Sequence, residues 1–276
     1  MNSIWHIFLQ EHNAVIDKGH VLHFRESAIE LKNAQTGTIL VDLSNFGLIH
    51  FSGNEASTFL QGQLSCDLRK INQQTAQHGS YCTPKGRMMA SFLIWSGMAN
   101  NEYYMQLPAT LLEGISRRLS MYVLRAKVQL NNRSDTLIRL GIAGNKAKLL
   151  VEEILQQAPP ISPLGIMHTE KVSVLCRDVN RYEIISTLDQ AVIIWPHLAS
   201  QATPVGTVCW DWLEITAGIP VILPMTQEQF IPQMVNLDII GGVSFQKGCY
   251  PGQEIVARTQ YLGKLKRRMY LANIAS

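Results

Sequence analysis

Apolar residues change their spacing repeatedly along the chain. In TGTILVDLSNFGLIHFSG (36–53), two apolar runs flank Ser44-Asn45, which predicts strand, turn and strand. SGNEASTFLQGQLSCDL (52–68) shifts to an imperfect helical stripe through Ala56, Phe59, Leu60 and Leu64. Ser52 or Asn54 is placed to cap that helix, and Glu55 to face the positive end of its dipole. HGSYCTPKGRMMASFLIW (78–95) predicts a hairpin around Pro84-Lys85-Gly86, and Tyr103–Leu107 a further strand. Pro108 suits the start of a helix over 108–122, where its missing N–H costs nothing. Strands at Lys127–Asn131 and Thr136–Ile142 and a helix at 145–157 follow.

APPISPLG then interrupts the pattern and is the best linker in the chain. Beyond it, Lys171–Arg177 and Tyr182–Thr187 predict strands and 188–201 a helix. CWDWLEITAG (209–218) predicts a short helix closed by Gly218, residues 252–262 another helix, and Lys266–Ala272 a strand. Strands and helices mix without a regular βαβ repeat, so the fold class is α+β.

Composition narrows the class. The 276 residues are 46% hydrophobic and 16% charged, ordinary for a globular protein of one or two domains. The formal net charge of +3 is too small to argue for nucleic acid as a direct partner. The five cysteines (Cys66, Cys82, Cys176, Cys209, Cys249) are odd in number, widely spaced and lack a C-x-x-C pair. That disfavours a disulfide framework and a structural zinc site, and it fits a reducing compartment. The apolar run Ile4–Leu9 is short, broken by His6 and not preceded by basic residues, so it makes a poor signal peptide. A cytoplasmic location is expected, with no membrane partner and no metal. His6, His12, His20 and His23 fit no ligand spacing.

One stretch asks for chemistry. KGCYPGQE (247–254) sets a lone thiol among glycines, with four glycines between 241 and 252. Glycine costs conformational entropy wherever its freedom is unused. A helix beginning just after Cys249, together with Lys247 two residues before it, predicts a partly exposed, thiolate-prone cysteine. A tight structural turn with a buried thiol is the bland alternative. Gln253 and Glu254 can hydrogen-bond a heterocycle edge, or simply meet the helix dipole while Glu254 pairs with Arg258. Trp210 shares a helical face with Leu213 and Ala217, a core pattern that also suits a flat wall for a heteroaromatic ligand. KLKRR (264–268) reads as a solvated strand face.

FQKGCYPGQEIVAR resembles the signature K-G-C-[FY]-x-G-Q-E of the YgfZ family, folate-binding proteins related to the glycine-cleavage T-protein aminomethyltransferases. FLQGQLSCDL (59–68) is similar to the family's Q-G-Q segment and TPKGRM (83–88) to its K-G-[KR] hairpin. AGIPVI and QFIPQMVNLDIIGGVSF resemble the segment leading into the signature. The resemblance runs from about residue 36 to the end. It implies a T-protein-like fold of two intertwined α+β subdomains in a ring-like arrangement, followed by a small β-barrel. The implied division is an N-terminal segment (1–35), a first subdomain (36–158), a second carrying the motif (166–262), and the start of a barrel (263–276) that is mostly absent from this chain.

The resemblance also implies a role: binding tetrahydrofolate or another reduced folate while supporting iron–sulfur cluster assembly or repair in client enzymes, including those that thiolate tRNA. It makes Cys249 the functional thiol, and Phe46, Trp210, Lys247, Tyr250, Gln253, Glu254 and Arg258 the residues around the folate. Lys85, Arg87 or Lys247 would meet its glutamate tail. Phe46 replaces a family tryptophan, and Thr216 replaces the glutamate of IEAG. The partners implied are folate and iron–sulfur client enzymes or assembly proteins. A folate-dependent aminomethyltransferase is the second reading. Its acidic pair would fall at Ala90 and Ser91, neither of which can act as a general base, so a binding role ranks above transferase chemistry. A cysteine hydrolase would need a histidine base that no local signature supplies.

Overall fold

The computed structural model describes residues 1–274. The chain folds into two compact units, neither of them one continuous stretch. The first comprises Met1–Phe46, Gln73–Thr75 and Asn132–Leu213, the second Gly47–Asn72, Ala76–Asn131 and the remainder from Glu214. The 158–165 stretch, read above as a linker, lies inside the first unit.

The first unit is built on a six-stranded sheet. Its strands are β3 (Ile39–Asp42), β9 (Leu137–Ala143), β10 (Ile166–His168), β11 (Val172–Asp178), β12 (Arg181–Thr187) and β13 (Thr203–Val205), in the order β10-β11-β12-β9-β3-β13. β13 runs parallel to β3, whereas the β10–β11, β11–β12, β12–β9 and β9–β3 pairs are antiparallel. β12 is buried along nearly its whole length although Arg181, Glu183 and Ser186 are polar, and the buried Glu183 carboxylate is met by Arg177 at 2.7 Å. Helices α5 (Ala147–Leu155) and α6 (Leu188–Ala199) supply Leu150, Val151, Trp195 and Leu198 to the same core as Leu140, Val174 and Ile184.

The N-terminal segment is part of this unit rather than an appendage. It forms α1 (Ser3–Glu11), the hairpin β1–β2 (Val15–Asp17 and His20–His23) and α2 (Ser27–Thr36). Trp5 packs edge-on to Trp195 at 5.6 Å, and its Nε1 donates to Asp42 at 2.8 Å. Glu30 is fully buried, and its carboxylate accepts the backbone N–H groups of Phe24, Arg25 and Gly206 at 2.7–2.8 Å. Those three bonds replace the water that a buried carboxylate loses.

The second unit holds a five-stranded sheet ordered β5-β6-β7-β4-β8. These are Gln77–Cys82, Met88–Ser96, Tyr103–Pro108, Phe46–Ser52 and Gln129–Asn132. The hairpin expected around Pro84-Lys85-Gly86 joins β5 to β6, with Ser80 opposite Ser91. α3 (Ala56–Gln63) and α4 (Ala109–Val123) contribute Phe59, Leu60, Leu111, Ile115 and Leu119 to the core beneath. α7 (Thr207–Thr216) leads from the first unit into the second. The last helix, α8 (Gln253–Tyr261), follows the glycine-rich stretch.

Two expectations fail. The α3 cap is Glu55, not Ser52 or Asn54, and no side chain bonds the free N–H groups there. The Glu55 carboxylate instead accepts Lys127 N–H at 2.7 Å, so tertiary pairing displaces the local cap. Residues 266–272 form no strand. Alternation alone does not make a strand when no neighbouring strand takes up the backbone groups. Side-chain contacts hold the segment: Asn236 donates to Met269 C=O at 2.8 Å and accepts from Arg268 at 3.3 Å, and Arg268 forks onto Asp238 at 2.7 and 2.9 Å.

Candidate functional site

The motif residues separate into inward and outward sets. Lys247 is 8% exposed and Tyr250 6%, whereas Gly248 and Cys249 between them are open to solvent. Lys247 Nζ donates to the carbonyls of Leu64 and Cys66 at 2.7 and 2.8 Å, and it lies 5.3 Å from the centre of the Tyr250 ring. Gln253 Nε2 reaches back to Lys247 C=O at 3.3 Å. The loop therefore stands on two buried side chains and lifts one thiol outward.

A second anchor lies at Gly252, which caps α8 at φ +83°. A Cβ there would come within 2.4 Å of Thr83 O and 2.5 Å of Gly86 Cα. Only glycine meets both demands, the left-handed backbone and the close approach. The K-G-R hairpin and the motif thus touch backbone to backbone. The Q-G-Q segment is tied in as well. Ser65 Oγ donates to Gly242 C=O at 2.7 Å, Ser65 C=O accepts Ser244 N–H at 2.9 Å, and Ser80 N–H donates to Ser65 Oγ at 2.8 Å. Asp67 and Arg69 form a charged pair at 2.7 Å, and Arg69 also contacts Gln246 C=O at 3.3 Å. The Arg69 hydrogen bonds hold the Asp67 carboxyl well below the ordinary carboxylate range. Neither Ser65 nor the Asp67–Arg69 pair stood out in the sequence, since serines and i,i+2 charge pairs are common on any surface loop.

Burial sorts the thiols. Cys66, Cys82, Cys176 and Cys209 are buried and Cys249 is exposed. Desolvation pushes Cys66, Cys82 and Cys209 up to about 12 and Cys176 to about 11, so none of the four offers a thiolate near neutrality.

Lys247 does not act as expected. Burial lowers its ammonium to about 8, with the Cys66 thiol and Asp67 carboxylate pulling it back up. Its charge is directed at two carbonyls inside the unit, so it is not available to a ligand's carboxylate tail. Glu254 and Arg258 are both exposed, and the i,i+4 ion pair expected between them is not among the ion pairs of the described residues. Gln253 is half-buried. Tyr250 OH is buried without a hydrogen-bond partner, and desolvation raises it well above an ordinary phenol.

Phe46 and Trp210 lie in the first unit, within one packed cluster that includes Ile39, Val41, Leu43, Val205 and Cys209. Trp210 is 0% exposed and Phe46 9%. The Arg181 guanidinium sits 5.5 Å from the Trp210 ring centre, and a Cβ at Gly141 would lie 2.5 Å from its Cζ3. This packing closes the flat wall expected of the indole: Arg181 lies over the ring and Gly141 packs against its six-membered part. Trp210 Nε1 is buried without a partner, so its one polar atom is not spent on the core.

The positions of the transferase acidic pair are structural. Ala90 is fully buried, and Ser91 Oγ accepts Ile222 N–H at 3.0 Å. The nearest carboxylate in sequence, Glu102, bonds His50 Nε2 at 2.7 Å and Tyr104 OH at 3.1 Å. Among the described residues, no helix is long and apolar enough to cross a membrane.

Three comparisons bear on this arrangement. Residues 11–244 match the family described as the GCVT N-terminal domain. The chain is 34% identical over 237 residues to the tRNA-modifying protein YgfZ of Colwellia psychrerythraea, covering 86% of this chain and 72% of that one. It is 31% identical over 258 residues to the protein of the same name from Photobacterium profundum, covering 91% and 75%. The glycine cleavage system aminomethyltransferase T of Bartonella henselae superposes with a TM-score of 0.79 at 13% identity, over 94% of this chain and 74% of that one. At that identity the likeness shows the α+β T-protein-like fold and nothing finer.

Proposed function

Since the chain belongs to the GCVT N-terminal domain family, with relatives named as tRNA-modifying proteins, we propose that it is an accessory protein acting through the Cys249 thiol. Its role is to support iron–sulfur cluster assembly or repair in client enzymes, tRNA-thiolating enzymes among them. The observation that carries this reading is the contrast in the motif: one exposed thiol on a base of buried, bonded side chains, in a chain whose four other thiols are buried. An exposed thiol is free to be alkylated, oxidised or bonded to a partner's sulfur or iron, and a buried one is not.

A reduced folate is the ligand that this fold family suggests. Gln253, Glu254 and Arg258 are its proposed polar contacts, and the exposed Lys85 the cation for its tail. Phe46 and Trp210 are its proposed aromatic contacts. Their packing as described leaves no open face, so stacking on the indole requires Arg181 to move aside. Saturable quenching of tryptophan fluorescence by tetrahydrofolate supports the folate part, and a flat titration removes it without touching the thiol.

Aminomethyl transfer is the weaker reading because Ser91 is spent on Ile222 N–H and Glu102 on His50 and Tyr104. The test of the leading reading is complementation. In a bacterium lacking its own relative, the wild-type chain restores thiolated tRNA and Cys249→Ala does not. Equal rescue by both removes the thiol from the function.

A further inference from the structure

A lysine two residues before a reactive cysteine is ordinarily an electrostatic activator, because a nearby cation favours the thiolate. Here the ammonium is turned away. Lys247 Nζ is buried and bonded to the carbonyls of Leu64 and Cys66, on the segment that follows α3, and it rests near the ring of Tyr250. Leu64 is extended at φ −106°, ψ 157°, immediately after the helix ends, so its carbonyl and that of Cys66 lie in irregular chain. Buried carbonyls in such chain need donors from elsewhere. An ammonium supplies three N–H groups on a long stem and can serve two of them at once.

We propose that Lys247 is a positioning residue: by clamping the motif to the Leu64–Cys66 carbonyls, it holds the following turn so that Gly248 and Cys249 face solvent. The clamp acts through its hydrogen bonds to the two carbonyls. The groups facing the ammonium are the Cys66 thiol, the Asp67 carboxylate, the Arg69 guanidinium and the Tyr250 ring. Among them, Asp67 is committed to Arg69, and Cys66 is held protonated by burial. The carbonyl bonds are therefore the main partners that the ammonium keeps. Below pH about 8 it carries its full charge into those bonds, and above that pH it loses one proton and bonds more weakly.

This inference rests on the Cys249 reading for its relevance, but its test needs neither folate nor a client. Amide hydrogen exchange over residues 246–252 is compared between wild type, Lys247→Met, Lys247→Gln and Lys247→Arg, with the β5 and β6 amides as the global reference. Iodoacetamide rates at Cys249 are measured across pH 6 to 10 in parallel. The clamp predicts that exchange in the loop rises about tenfold in Lys247→Met while the sheet amides hold. Gln, which keeps two N–H donors without a charge, restores part of the protection, and Arg, with five donors, restores more. The alkylation rates of all four proteins rise through the same pH midpoint.

Unchanged loop exchange in Lys247→Met overturns the clamp. So does a midpoint that climbs by about a unit in Met and Gln but not in Arg, because the lysine then acts through its charge. If Lys247→Met fails to fold, the Gln variant carries the same comparison. Failure of tRNA rescue by Cys249→Ala with all these outcomes intact leaves the clamp standing. Successful rescue by Cys249→Ala removes its functional purpose and not its mechanics.

Discussion

The cluster around Trp210 and the loop around Cys249 both carry residues that the family resemblance assigns to function, and they are built in opposite ways. In the first unit, Trp210 is enclosed by apolar neighbours, by Arg181 over its ring and by Gly141 packed against its six-membered part. In the second, the motif buries its lysine and tyrosine and leaves the small reactive group outside. Substitutions in the two regions should therefore report different things. Around Trp210 they report packing. Around Cys249 they report chemistry, provided that the buried base is left alone.

The largest effect is expected at Trp210. Trp210→Ala should cost about 3–5 kcal/mol of stability in the first unit, read by urea unfolding. A loss under about 1 kcal/mol would mean that the ring is not core, which would favour its use as an open ligand wall. Next comes Gly252→Ala, for which about 2–3 kcal/mol is expected from the positive φ and the approach to Thr83 and Gly86. Differential hydrogen exchange should place that loss in the 83–86 hairpin and α8.

Lys247 gives a smaller, pH-dependent effect. The native ammonium gives up its proton near pH 8, whereas an ordinary lysine in the unfolded chain keeps it to 10.5. Between those values the unfolded state binds more protons, so this group makes stability rise with pH, by at most about 1.4 kcal/mol per pH unit. The buried thiols of Cys66 and Cys82 work in the opposite sense above pH 9, because they ionise in the unfolded chain first. The Lys247 contribution is isolated by subtracting the pH–stability curve of Lys247→Met from that of wild type. A flat difference from pH 8 to 10 would contradict the lowered titration. The smallest effect is expected at Arg258, which is exposed and takes part in none of the ion pairs of the described residues. Arg258→Ala should shift stability by less than about 0.5 kcal/mol, while weakening any folate-dependent fluorescence change.

Several features of the second region were legible in the sequence. Four glycines between 241 and 252 mark a segment that uses backbone freedom, and Gly252 does use it. A thiol among them stands apart from four thiols in regular or buried chain. The orientation of Lys247 was not legible. Its acceptors lie more than 180 residues earlier, at Leu64 and Cys66, and nothing in K-G-C says that a lysine turns inward. The i,i+4 spacing of Glu254 and Arg258 permits a pair without requiring one, since an exposed ion pair gains little. For Trp210, helical spacing with Leu213 points to the core, and the core is where the ring is. The strand expected at Lys266–Ala272 shows the same limit from the other side: a β-like pattern becomes a strand only where a partner strand is present.

The measurement closest to the central claim is native alkylation. Folded protein is treated with iodoacetamide near neutral pH, and the labelled sites are mapped by peptide mass. One label per chain, on Cys249, with Cys66, Cys82, Cys176 and Cys209 reacting only after denaturation, is the result predicted. Labelling of a buried cysteine at a comparable rate, or a Cys249 that resists the reagent until the protein unfolds, would contradict it.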